Sequence, residues 1–333
     1  MSVSIETIEL TKRFPQGIGY KELLMPWKRT YKTALDNINL RIDSGEVFGL
    51  LGTNGAGKTT LMKTLATLLL PDEGRVIVQG WDVARHPEKV KPLLGYIVSD
   101  ERSFFWRLTD RQNLRFFSRM NEIPRREIDS YVENLLSQVD LLDVADERVM
   151  RFSTGMKHRL SIARGLIADP SILLLDEPTR SLDPQSTRNV WDLIKEELVG
   201  RLGKTVIIAT HDMEEATHLC DRVAIIHQGK VRACDTVAAL RAAFSGVAHC
   251  SISVRGVSLQ TVTEVSMIKG VQSFNAISPN GHQEYSLELT LDDPMLQVPA
   301  IVDHLVAAGG KVLQVNQEPR SLTDVVMSLT EAS

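Results

Sequence analysis

The chain has little cysteine: Cys220, Cys234 and Cys250 are the only three in 333 residues. They are far apart, odd in number and form no CxxC pair, so a disulfide framework is not expected. A reducing, cytosolic compartment suits such a chain. Long apolar runs are also missing. A membrane-crossing helix takes about 18 or more apolar residues, whereas the densest stretches here, SILLL (171–175) and RVAIIH (222–227), are strand-sized. The opening residues, MSVSIETIELTKRF, carry charge where an export signal needs an apolar run, so none is expected. Basic charge is not in excess: 38 Lys and Arg against 42 Asp and Glu leave a net charge of −4. That excludes a protein that grips nucleic acid along its whole surface. No internal repeat and no low-complexity tract interrupts the chain.

What remains is an ordinary globular composition, 43% hydrophobic and 24% charged. The length gives room for two domains and a sizeable core. Charge is unevenly placed. Residues 11–32 hold Lys12, Arg13, Lys21, Lys28, Arg29 and Lys32 against Glu22 alone, whereas residues 248–333 carry nine acidic groups against four basic ones. The two regions are expected to face different surroundings.

The first two-thirds alternates apolar runs with helical patterns. VFGLL (47–51), ILLLD (172–176) and TVIIAT (205–210) read as fully buried strands, and VAIIHQGKV (223–231) as a hairpin turning at Gln228-Gly229. Such strands predict a parallel α/β sheet covered on both faces. Residues 105–170 lack them and read as a helical insertion, with a helix over IPRREIDSYVENLLSQV (123–139). From residue 246 the order becomes β-α-β-β-α-β: strands at 249–254, 271–277, 284–291 and 311–316, helices at 258–269 and 298–310, and a turn at Pro279-Asn280-Gly281. That order predicts a ferredoxin-like α+β unit over 246–333, closed by a helix at 321–329, behind a first domain of residues 1–245.

Gly52-Thr53-Asn54-Gly55-Ala56-Gly57-Lys58-Thr59 matches GxxxxGK[ST] between a strand and a helix, the context that a phosphate-binding loop requires. Glycines let the backbone N–H groups turn inward, and the helix N-terminus, from Lys58 through Thr60, adds a positive dipole end. Lys58 is placed to reach the β- and γ-phosphates and the Thr59 hydroxyl to bind Mg²⁺. Asp176 closes the apolar run ILLLD, at the carboxyl edge of a strand where α/β sheets bind ligands. It is the second candidate for Mg²⁺, and Glu177, next in line, the candidate to polarise an attacking water.

With these residues the chain resembles the ABC-type ATPases, the nucleotide-binding subunits of ABC transporters. Phe152-Ser153-Thr154-Gly155-Met156-Lys157 resembles the signature motif, Ser181-Leu182-Asp183 the D-loop, and His211 the switch histidine; the likeness spans about residues 3–235. The resemblance implies a P-loop NTPase fold of the ABC type, ATP and Mg²⁺ as ligands, and catalysis by Lys58, Glu177 and His211. It further implies a head-to-tail dimer or paired nucleotide-binding subunit, in which Ser153, Gly155 and Asp183 of one copy face the ATP of the other. Phe14 stands where the family keeps an aromatic for adenine, with Tyr20 and Tyr31 as rivals in the insertion IGYKELLMPWKRTYKT (18–33). That insertion is basic and aromatic, which suits either lipid headgroups and a membrane partner or a plain solvated loop.

Two departures stand out. Thr154 replaces the first glycine of the usual signature, and Met156-Lys157 its usual ending. Ser99 stands where the family has the Q-loop glutamine, followed by Asp100 and Glu101. Either a water bridges Ser99 to Mg²⁺, or one of the two acids takes the role, or coupling is altered. One cassette, no sustained heptads and a negative charge favour transport over a soluble ABC ATPase acting on ribosomes or nucleic acid, so no nucleic-acid partner is expected. NQEPRSLTDVVMSLT (316–330) resembles the closing segment of drug- and antibiotic-exporter ATPases, which favours export over import. The expected partners are separate membrane subunits, which would hold the chain peripherally at the cytoplasmic face. The segment 246–333 is left with regulation or dimer contact.

Overall fold

The computed structural model describes residues 2–16, 30–98, 104–243, 248–277, 284–318 and 322–331. Ser99, Asp100, Glu101, Tyr20, most of the 18–33 insertion and the Pro279–Gly281 turn lie outside the described residues. The chain divides into two compact units, Met1–Thr236 and Val237–Ser333.

In the first unit, six strands form one sheet. They are β3 (Val47–Leu51), β6 (Leu94–Val98), β7 (Ile172–Asp176), β8 (Thr205–Thr210), β9 (Arg222–His227) and β10 (Lys230–Thr236), in the order β10-β9-β3-β8-β7-β6. β9, β3, β8, β7 and β6 run parallel, and β10 pairs antiparallel at the edge. Every residue of β3, β7 and β8 is buried, as continuous apolar runs covered on both faces require.

A second, antiparallel sheet was not foreseen. β1 (Val3–Gln16), β2 (Thr30–Asp43), β4 (Glu73–Val78) and the two-residue β5 (Trp81–Asp82) lie in the order β2-β1-β4-β5. Repeated register shifts between β1 and β2 break their alternation, which hid both strands in the sequence. One core joins both sheets around helix α1 (Lys58–Leu65): Ile5, Ile38, Phe48, Leu61, Met62, Leu174 and Ile207 are all fully buried in it. The phosphate-binding loop is thereby clamped between two sheets.

The insertion carries α2 (Asp110–Met120), α3 (Ile128–Gln138) and α4 (Thr154–Gly165). The helix expected from residue 123 starts later. Further on lie α5 (Pro184–Asp192) and α6 (Met213–Leu219). Among the described residues no helix is long and apolar enough to cross a membrane.

In the second unit, β11 (Ala248–Arg255), β12 (Val271–Ile277), β13 (Glu284–Leu291) and β14 (Lys311–Glu318) make an antiparallel sheet in the order β12-β13-β11-β14. Ile252, Val254, Leu287 and Leu289 pack against Val262 of α8 (Leu259–Glu264) and Ile301 and Leu305 of α9 (Pro294–Ala307). α7 (Val237–Ala243) and α10 (Leu322–Glu331) complete the unit. The helix expected at 298–310 starts at Pro294 instead. Asp293 caps it, accepting from Met295 N at 3.1 Å, and this start signal outweighs Pro299, which sits inside the helix.

Asp110, the first residue of α2, is wholly buried, and among the described residues neither of its carboxylate oxygens has a hydrogen-bond partner. Desolvation pushes its pKa up to about 7, with the charge of Arg111 opposing. An acid with a raised folded pKa holds its proton longer in the fold than in the unfolded chain. Its effect therefore weakens the fold as pH climbs from about 4 to about 7 and is constant above. Asp110→Asn is expected to raise the Tm by several degrees at pH 8, with the gain shrinking toward pH 4. A pH-independent difference in calorimetry would contradict this.

Candidate functional site

The loop leaves β3 and enters α1 under tight constraint. A Cβ on Gly52 would stand 2.2 Å from Ile226 O, and Gly57 sits at φ 114° with Ala34 O 2.7 Å from where its Cβ would be. Gly57 is the N-cap of α1, and no side chain among the described residues caps that helix. Its first N–H groups and positive dipole end are thus left to a ligand. Ala56 N donates to Thr53 O at 3.1 Å, and Ala56 O accepts from Gly229 N at 2.8 Å, which pins the β9–β10 turn to the loop. That turn has positive φ at Gln228 (49°) and Gly229 (76°), as tight hairpins demand.

Lys58 is buried and donates to Gly52 O at 2.6 Å and Thr53 O at 3.3 Å. Burial lowers its pKa, against the pull of Glu177 and Asp176. Asp176, also buried, accepts from Thr59 Oγ1 at 3.4 Å and from the Tyr96 hydroxyl at 3.3 Å. Burial raises its pKa, while the bonds from Thr59 and Tyr96 lower it. A hydroxyl and a carboxylate side by side are hard oxygen donors, and a buried negative charge gains from a cation, so the pair fits Mg²⁺.

Adjacent strand residues point to opposite faces, so two acids in a row need a bend to share a cleft. The chain bends at Glu177, at φ 55°, with Glu177 N donating to Ala209 O at 2.9 Å. β7 and β8 are neighbours, and Asp176 lies opposite Ala209. The residues that leave both strand ends therefore meet: His211 Nδ1 lies 2.9 Å and 2.7 Å from the two carboxylate oxygens of Glu177.

A cavity of about 470 Å³ collects Phe14, Thr53, Asn54, Gly55, Gly57, Lys58, Thr59, Thr60 and Glu177. Phe14 lines it and Tyr31 does not. A second hollow of about 330 Å³ shares Asn54 and Glu177 and adds His211. Lys32, Arg180, Gln228 and Gly229 also line the first cavity and had no assigned place there in the sequence. Tyr96 was likewise passed over. Its signal was a phenol in a strand, which needs a polar partner where it is covered.

Ser153, Gly155 and Asp183 lie elsewhere. Ser153 caps α4, accepting from Met156 N at 3.2 Å. With Gly155, Arg159 and Ser186 it lines a separate recess of about 150 Å³. Asp183 caps α5 and accepts from Ser186 Oγ at 2.6 Å, a bond that holds its pKa low. Ser99 is outside the described residues.

The chain is similar to several known proteins. The family profile of the ABC transporter matches residues 35–180. The daunorubicin resistance ATP-binding protein DrrA3 of Streptomyces coeruleorubidus is 41% identical over 215 residues, 65% of this chain and 67% of its own. The ABC transporter ATP-binding protein NatA of Bacillus subtilis is 39% identical over 204 residues, 61% of this chain and 82% of its own. Among solved structures, cbiO1 of Clostridium perfringens, part of the ABC transporter complex cbiONQ, superposes with a TM-score of 0.63 at 26% identity. It covers 81% of this chain and 96% of its own.

Lys58→Ala removes the one ammonium inside the loop. The Kd for a fluorescent ATP analogue is expected to rise at least about tenfold. An unchanged Kd in titration would contradict the role given to the loop.

Proposed function

This chain belongs to the ABC transporter ATP-binding proteins, and from that premise we propose that it hydrolyses ATP to drive an exporter whose membrane-crossing part lies in other chains. The observation that carries the proposal is the contact between His211 and Glu177, where Glu177 also lines the cavity that holds Lys58 and Thr59.

The loop amides and the Lys58 ammonium bind the β- and γ-phosphates. Thr59 and Asp176 would hold Mg²⁺, with Ser99 as a third candidate, and the ion when bound supplies positive charge to the phosphate oxygens. Phe14 offers its ring to adenine. Glu177 takes a proton from the attacking water, and His211 fixes the carboxylate and reaches toward the γ-phosphate. Only the donors missing from this cavity remain to be supplied. Ser153 and Gly155 at the N-terminus of α4, with Asp183, present them to the ATP of a second copy. Two chains and two ATP molecules thus close a dimer, and hydrolysis removes the bridge.

Export is supported by the resistance named for DrrA3 and by the 316–330 segment. A partner at the membrane is supported by an exposed aromatic face of the insertion: Phe105, Trp106 and Phe116 are 46%, 52% and 41% exposed. Such a partner would place the chain at the cytoplasmic face. Residues 1–245 act as the ATP-binding domain, and 246–333 regulate or add dimer contact.

Glu177→Gln keeps the shape of the side chain and removes its basicity. ATP turnover measured by phosphate release is expected to fall about 10²–10⁴-fold while ATP still binds. Turnover at the parental rate would reject Glu177 as the base.

A further inference from the structure

We propose that Glu215 is a positioning residue that sets where Glu177 and His211 meet, an inference that rests on the reading of those two as the reaction centre. Glu215 lies in α6 and is 1% exposed. Its Oε1 accepts from the Thr179 hydroxyl at 2.6 Å and from Trp191 Nε1 at 3.4 Å. The Thr210 hydroxyl also favours its charged form.

These three residues come from three segments, and each borders the centre. Thr179 follows Glu177 by two residues. Thr210 immediately precedes His211, and its hydroxyl accepts from Asp212 N at 3.0 Å. Trp191 belongs to α5, the helix that Asp183 caps. Asp212 caps α6, accepting from Glu214 N at 2.8 Å and Glu215 N at 3.2 Å, and this holds Glu215 in place. Glu215, through its carboxylate and through Asp212, therefore ties the chain just past one reacting side chain to the chain just before the other.

The tie answers a need. Between Glu177 and Ser181 the backbone twice enters the left-handed region, at φ 55° and 63°, without glycine. Such a conformation persists only where its surroundings over-determine it. A buried carboxylate is itself costly unless its lone pairs are filled, so the network forms as a whole or not at all. Glu215 lines neither hollow of the site, so it acts through Thr179 and Thr210 rather than on the phosphate.

The test uses the full chain in steady-state ATP hydrolysis. Thr179→Val removes the hydroxyl at similar shape. Its kcat is expected to fall about tenfold with KM for ATP within about twofold, and Thr179→Ser to restore kcat to within about twofold. A purely structural role would lower Tm and spare kcat. Combining Thr179→Val with Glu215→Met should cost no more than the larger single change, because both break one tie. Multiplying effects, or a Thr179→Val kcat within about twofold of the parent, overturns the inference. If Thr179→Val fails to bind ATP, Glu215→Met decides by the same thresholds. Glu177→Gln separates the two levels. If it is inactive while Thr179→Val is normal, only the positioning role falls. If it turns over normally, the reaction-centre reading falls too.

Discussion

The structure depends on one electrostatic arrangement: an ammonium and a carboxylate, both taken out of water, at the mouth of an uncapped helix. Lys58 is desolvated beside Asp176 and Glu177, and Asp176 is desolvated beside Thr59 and Tyr96. Each charge is costly to bury and would gain from the triphosphate and cation of the proposed reaction. The glycines at 52 and 57 admit backbone where any side chain would collide with Ile226 O or Ala34 O. The two sheets exist, from this point of view, to hold that loop still from both sides.

Around this centre the positions of the other groups follow from strand order. β7 and β8 are adjacent and parallel, so the residues that leave their carboxyl ends converge. A left-handed residue at Glu177 swings the second acid toward the cleft, and the network beneath it keeps the bend from relaxing. Ser153 and Asp183 are occupied as helix caps in a separate part of the unit, with their remaining acceptor and donor capacity turned outward. In the proposed dimer, a nucleotide held in the cavity of one chain would present its anion to the N–H groups at the α4 terminus of the other.

Much of this was legible in the sequence, because it is written in contiguous residues. VFGLL, ILLLD and TVIIAT can be nothing but buried strands, and the loop from Gly52 to Thr59 carries its own mechanism. The strand-end position of Asp176 followed from four apolar residues before it. What depends on distance in the sequence did not show. β1 and β2 were hidden by their register shifts. Glu177 gave no sign of positive φ, since glycine usually marks that conformation. Glu215 is one of two glutamates opening α6, and nothing local distinguishes the buried one from Glu214. Its partners Thr179 and Trp191 are 36 and 24 residues away. Asp293-Pro294 is a readable helix start, four residues before the helix expected at 298–310.

The most direct measurement is the solution mass of the Glu177→Gln chain by light scattering, with and without saturating ATP and Mg²⁺. A triphosphate seated on Lys58 and completed by Ser153 of a second copy predicts a doubled mass with nucleotide, lost again in Glu177→Gln chains that also carry Ser153→Ala. A mass that stays the same with and without nucleotide would contradict it.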